Sequence, residues 1–183
     1  MIIIGGLMLI RKIHFKKVKI QKAKIKIMEL IIGENNQMLR QKSLPVNKID
    51  AGIRNLIKEM IVLTKQNEGI GLAAIQTGNP LRIVVCEVND KVYSLINPEI
   101  VKTSSETSVL DEGCLSLPNI FGEVERPEKI VVKGTTAEGK KIKFKAFGLL
   151  ARVLQHEIDH LDGILFTDKA KNVREETRKR TAL

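Results

Sequence analysis

Three histidines occur in this chain of 183 residues, and two of them stand four apart in QHEIDHLDG, residues 155–163. In an α-helix each residue turns the side chain by about 100°, so His156 and His160 lie one above the other on a single face. Two imidazoles so placed can hold one metal ion. Glu157, beside the first histidine, is set about 100° round from it, within reach of a metal-bound water without being a ligand. The chemistry this suggests is hydrolysis, with Glu157 as general base. The plainer alternative is a pair of core histidines with satisfied hydrogen bonds.

Catalytic zinc-like ions usually take three protein ligands and leave a fourth position to water, so a third ligand has to be found. The HExxHxxGxxH protease pattern would supply a histidine where this chain has Phe166. Glu175 and Glu176 offer the other protease solution, but they sit in a charged segment with the character of solvated surface. The remaining soft ligands are Cys86 and Cys114. Cys86 lies in LRIVVCEV, an apolar, β-branched run in which a small thiol is core filling. Cys114 lies in DEGCLSLP, behind a glycine where backbone must bend or approach something closely, and it is the better ligand. A third stretch, EGIGLAAIQTG at 68–78, has little bulk, so backbone can approach a ligand there while Gln76 donates a hydrogen bond to it.

GIGLAAIQ at 69–76, EGCLS at 112–116 and QHEIDHLDG at 155–163, in that order, resemble the three signature motifs of the peptide deformylases. The likeness runs from about Met28 to Lys171 and takes in INPEI before the second motif and GEVERPEKI after it. One position departs from the family: Ile75 stands where a proline is common, and loss of that rigid residue should loosen the placement of Gln76. The resemblance implies a metal-dependent hydrolase that removes the formyl group from N-formylmethionyl nascent peptides and releases formate. Cys114, His156 and His160 would hold one divalent ion, ferrous iron in the cell, with zinc, nickel or cobalt in preparations. Ligand types alone do not choose among these metals. Glu157 would be the general base, with the backbone N–H of Leu115 and the side-chain amide of Gln76 as oxyanion donors. Gly71 would hydrogen-bond an extended peptide, and Ile70, Leu149 and Val153 would line a pocket for a methionine-like side chain, though each also has an ordinary packing role. Glu112 and Arg126 would pair to support the cysteine segment and orient the ligand.

The elements that must position these groups are legible in outline. With Arg152 as zero on a helical wheel, Arg152, Gln155, Asp159 and Asp162 form a polar strip about 80° wide, and the rest of the helix faces protein. Such a helix belongs in the middle of a domain, starting near Gly148 and ended by a left-handed Gly163. Residues 48–66 form an amphipathic helix capped by Asp50. Strand patterns occupy 81–88, 91–96 and 100–106, and 129–136 with 140–147 make a hairpin about residues 137–139. Short strands and tight turns predict largely antiparallel sheets packed around the central HExxH helix, an α+β fold. Residues 169–180 read as a polar, helical tail whose charges face solvent.

This length suits one domain without disulfides, here 28–171, with a basic extension at 1–27 and a polar tail at 172–183. Two cysteines in unrelated contexts fit a reducing compartment. The net charge of +10 resembles that of a nucleic-acid binder, yet residues 1–27 hold eight Lys/Arg and no acid, leaving 23 basic against 21 acidic residues. The domain is nearly neutral, which predicts no stable nucleic-acid partner, beyond transient contact with the ribosome. MIIIGGLMLI is too short to span a bilayer, and its apolar part precedes the charges, the reverse of a secretory signal. These features predict a cytoplasmic, bacterial-type protein with no membrane partner; an organellar address stays open, should residues 1–27 be a transit peptide. Three further readings of this leader stay open: a misassigned start, with translation beginning near Met28, a tail, or a basic arm for phosphate groups. Two rival classes remain: a metallopeptidase with a glutamate ligand, and an RNA-binding protein whose metal is structural.

Overall fold

A computed structural model describes residues 28–176; expectations for residues 1–27 and for the last seven lie outside them. Asp50 opens α1 (Ala51–Gln66) by accepting a hydrogen bond from the Ile53 N–H at 3.0 Å. Its apolar face buries Ile57, Met60 and Leu63 in a cluster with Leu72, Ile83, Val85 and Ile96. The small-residue stretch is not one loop. It forms β1 (Gly71–Ala73) and then a 3-10 turn, Ala74–Thr77. β2 (Ile83–Val88) follows, and the two expected strands after it are one, β3 (Lys91–Thr103), with register shifts between Ile96 and Glu99 and again between Ile100 and Lys102. Those irregularities break the alternation along a continuous strand.

The stretch around Cys114 is a hairpin of β4 (Thr107–Cys114) and β5 (Leu117–Pro127). Its strands were hidden in the sequence because charged residues occupy inward positions, Glu112 and Arg126 among them, both buried. β6 (Lys129–Thr135) and β7 (Lys141–Phe147) form the expected hairpin. They complete a five-stranded antiparallel sheet ordered β1-β2-β3-β6-β7. α2 (Gly148–Leu161) lies across this sheet, and Leu154, Ile158 and Leu161 pack with Val84, Cys86, Leu95, Val132 and Ala146. Cys86 is thus core filling, its thiol pushed up to about 12 by burial.

Two expectations need correction. The described part of the polar tail is not helical: β8 (Lys171–Glu175) joins β5 to give a second sheet ordered β4-β5-β8. It has no apolar alternation, and its pairing is reinforced by side chains, with Arg174 on Asp111 and Asn172 on Glu123. Most of the polar strip of α2 does not face water either; only Asp162, at its C-terminal end, is exposed. Arg152 and Gln155 are buried because β4 and β5 cover them with acceptors: Glu112, Ser108 and the Val124 carbonyl for the arginine, and the Pro127 carbonyl for the glutamine. α2 is therefore wrapped on nearly every side, and among the described residues no helix is long and apolar enough to cross a membrane.

Candidate metal centre

The HExxH spacing acquires its geometry from α2. The His156 and His160 rings stand 4.9 Å apart between centroids and nearly perpendicular. A Schellman ending holds this last turn in place: Gly163 N–H bonds the His160 carbonyl and Ile164 N–H bonds that of Asp159. Gly163 has φ +75°, and a Cβ there would press on the Arg40 backbone. Phe166 stacks on the His156 ring at 6.1 Å, so the position of a metalloprotease's third histidine is taken by packing.

The third ligand arrives from the hairpin. The β4–β5 register shifts between Gly113 and Cys114, which re-aims the cysteine at the end of its strand. Gly113 has to be glycine, since a Cβ would meet the Phe121 ring at 2.8 Å. Cys114 Sγ lies 3.2 Å from His160 Nε2, and one ligand atom from each of Cys114, His156 and His160 falls within 4.8 Å of the others. Glu175 and Glu176 are not in this group; Glu176 pairs with Arg174 on the wall of the cleft.

Glu112 fixes the orientation of His156. It accepts from His156 Nδ1 at 2.9 Å, from Arg126 through two bonds at 2.6 and 2.8 Å, and from Arg152 at 2.7 Å. Burial opposes its charge, but Arg126 and His156 hold the carboxyl well below the usual range. Since Nδ1 is occupied, Nε2 is the nitrogen left to ligate. Burial and the neighbouring His156 push His160 well down, which keeps it a neutral donor. One thiol and two imidazoles, convergent and oriented, make a set suited to one divalent ion of the zinc–iron group. Asp159 extends the network by accepting from Arg126 and Lys169, each at 2.7 Å.

The remaining groups converge on the same place. Gln76 is nearly fully buried; its Oε1 accepts from the Ala73 N–H at 2.8 Å. Its Nε2 is thereby turned toward Cys114 Sγ at 3.4 Å and Ser116 Oγ at 3.1 Å. Ile75, which stands where the family commonly has proline, is fully buried in the core beside Ala73, Val84 and Leu154. Glu157 is buried, and burial raises its carboxyl to about 7. Its Oε2, like His160 Nδ1, finds no hydrogen-bond partner among the described residues. Gly71 is packed so closely against the Glu157 carboxylate that any Cβ would collide with it. A cleft of about 690 Å³ opens above these groups, lined among others by Ile70, Gly71, Leu115, Leu149 and Val153. Leu149 and Ile70 are half exposed at its rim while Val153 is buried at its base.

Sequence reasoning missed Ser116, Arg152 and Asp159. The serine of EGCLS and the arginine of the helical polar strip were visible as residues, but their partners lie about 40 positions away. No local pattern announces such pairs.

Comparison with known proteins agrees with this geometry. Residues 28–176 match the model of the family described as polypeptide deformylase. A peptide deformylase of Alkaliphilus metalliredigens is 49% identical over 141 residues, covering 76% of this chain and 95% of the relative. That of Syntrophomonas wolfei is 46% identical over 144 residues, 79% of this chain and 94% of its own length. The crystal structure of peptide deformylase from Thermotoga maritima superposes with a TM-score of 0.77 at 38% identity, covering 79% of this chain and 98% of that one. A Synechococcus elongatus peptide deformylase, solved in complex with actinonin, gives 0.77 at 37% identity over 79% of this chain and 81% of its own. With the matched span holding the small-residue turn, the cysteine hairpin and the HExxH helix together, the chain belongs to the polypeptide deformylase family.

Proposed function

We propose that in this deformylase, which removes the N-formyl group from nascent peptides, Cys114, His156 and His160 hold the metal while Glu157, Gln76 and Leu115 carry out the proton and oxyanion work. Held by these ligands, a divalent ion would make water a nucleophile at neutral pH and would polarise a carbonyl. Glu157 takes the proton of the attacking water. Gln76 Nε2 and the Leu115 N–H donate to the formyl oxygen as it gains negative charge. When the C–N bond of the formamide breaks, Glu157 delivers its proton to the departing nitrogen, so that formate and a free amino terminus leave. Gly71, on the edge strand β1, hydrogen-bonds the extended peptide, and Ile70, Leu149 and Val153 receive the methionine side chain.

One observation carries this reading: the buried Glu157 carboxylate, without a partner on Oε2, shares a cleft with the convergent sulfur and imidazoles and with an amide fixed by Ala73. Ferrous iron is the metal we assign in the cell, on the family resemblance; thiolate and imidazole ligands suit iron and zinc alike and do not choose between them. The substrate emerges from the ribosome in a reducing compartment, so transient ribosome contact belongs to the same proposal. The test is a formate-release assay on a formyl-Met peptide, with metal analysis of the same sample. Glu157→Ala should abolish release while the bound metal stays stoichiometric. Full activity in that variant, or in Cys114→Ala, would overturn the assignment.

A further inference from the structure

The outer face of the five-stranded sheet is divided. α1 covers the part over β1 and β2, with Ile96 of β3 in the same cluster. No helix among the described residues covers the part formed by the end of β3, β6 and β7. Here the chain presents lysines: Lys141, Lys143 and Lys145 alternate along β7, all exposed, with exposed Phe147 closing the row. Directly opposite residues share a face, so the register adds Lys129 beside Phe147 and Lys133 beside Lys143 from β6, and Lys102 beside Val131 from β3. Of these six lysines only Lys133 has an ion-pair partner among the described residues, Glu99 at 2.8 Å.

Such a face works against folding. Like charges directly opposite one another on a sheet are destabilising, and Lys133 faces Lys143. Lysines on an exposed edge strand do deter sheet-to-sheet aggregation, which explains β7. That explanation does not reach Lys129, Lys133 or Lys102, which sit on inner strands. A domain whose charges nearly balance has therefore gathered, on a bare sheet face, cations that mostly lack an ion-pair partner among the described residues. Alternate residues on a strand are about 6.8 Å apart, comparable with successive phosphates of an extended polynucleotide, and an exposed aromatic beside them offers a base a stacking surface. Phe147 is 56% exposed and lies two residues before Leu149 at the rim of the cleft.

We propose that the β3–β6–β7 lysine face is a docking surface for the phosphodiester backbone of RNA, used transiently beside the ribosome's nascent chain. Only the identification of the ribosome as the source of the RNA rests on the function proposed above. Four charge-removing substitutions, Lys129→Gln, Lys141→Gln, Lys143→Gln and Lys145→Gln, made together in the full chain, test it. The control removes four exposed lysines elsewhere: Lys42→Gln, Lys48→Gln, Lys58→Gln and Lys91→Gln. Binding to a uridine oligonucleotide and to purified ribosomes is measured across a salt series. The face variant should bind about tenfold or more weakly, with the logarithmic salt slope shallower by about 3, given about 0.7 per phosphate contact on single strands. The control variant should keep most of both. Equal loss in the two variants, no loss in the face variant, or no RNA binding by the unaltered chain would overturn the proposal. So would lysine-dependent binding to phosphatidylglycerol vesicles with RNA binding unaffected. Formate release from a short formyl-Met peptide should be unchanged in both variants; it reads the catalytic assignment separately, since no lysine of this face lines the cleft.

Discussion

Gln76 shows how one side chain is prepared before any substrate arrives. Its carbonyl oxygen is held by the Ala73 N–H, so the amide cannot flip without losing a buried hydrogen bond, and its nitrogen keeps pointing at Cys114 and Ser116. In the oxyanion role proposed above, a donor so held needs no reorganisation as charge develops. Gln76→Ala should therefore lower kcat by about 10²–10³-fold, roughly 3 kcal/mol, with a smaller change in KM, measurable in a formate-release assay. Glu112 acts one step further out, through His156. Glu112→Gln keeps the shape but removes the charge that Arg126, Arg152 and His156 share, and it should weaken metal affinity by about 10–100-fold in a chelator competition. Unaltered affinity would reduce Glu112 to a packing role.

Among the elements, α2 carries the two histidines, yet what makes it a site is its enclosure. Sheet β1-β2-β3-β6-β7 covers its apolar side, while β4 and β5 bring Glu112, Arg126 and Cys114 to its polar side. Its C-terminal turn is the fragile joint, because Gly163 adopts φ +75° and a Cβ there would lie 2.5 Å from the Arg40 carbonyl oxygen. Gly163→Ala should destabilise the protein by about 1–3 kcal/mol, seen as a lower urea midpoint at constant m. An unchanged midpoint would show that the turn relaxes freely. On the hairpin, the register shift at Cys114 and the bare Cα of Gly113 against Phe121 do the corresponding work of aiming the sulfur.

At the scale of the whole molecule, the two sheets meet around one cleft, and the segment before α1 ties them. Ile31 N–H bonds the Gln76 carbonyl at 2.7 Å, and Gly33 N–H bonds the Ser116 carbonyl at 2.9 Å, so one short stretch clamps the turn and the hairpin that flank the metal ligands. Removing residues 1–27 should leave kcat/KM for a short formyl-Met peptide intact. Removal through Gly33 deletes both ties and should lower it sharply. Equal activity in the two truncations would show that the clamp does nothing.

What the linear order of residues determined was the chemistry and its local frames. HExxH on an apolar helix, the left-handed Gly163, the Asp50 cap and the 129–147 hairpin all depend on neighbours a few positions apart, and such short-range physics is written in periodicity and turn residues. Cys114 could be preferred to Cys86 because their neighbourhoods differ in polarity within a few residues. Only the tertiary structure decided where the charges go. Arg152 reads as solvent-facing until β4 and β5 cover it, and Lys171–Glu175 reads as a tail until β5 pairs with it. Both outcomes depend on hydrogen-bond partners tens of positions distant, and burial of a charge becomes favourable only when such partners have been brought to it.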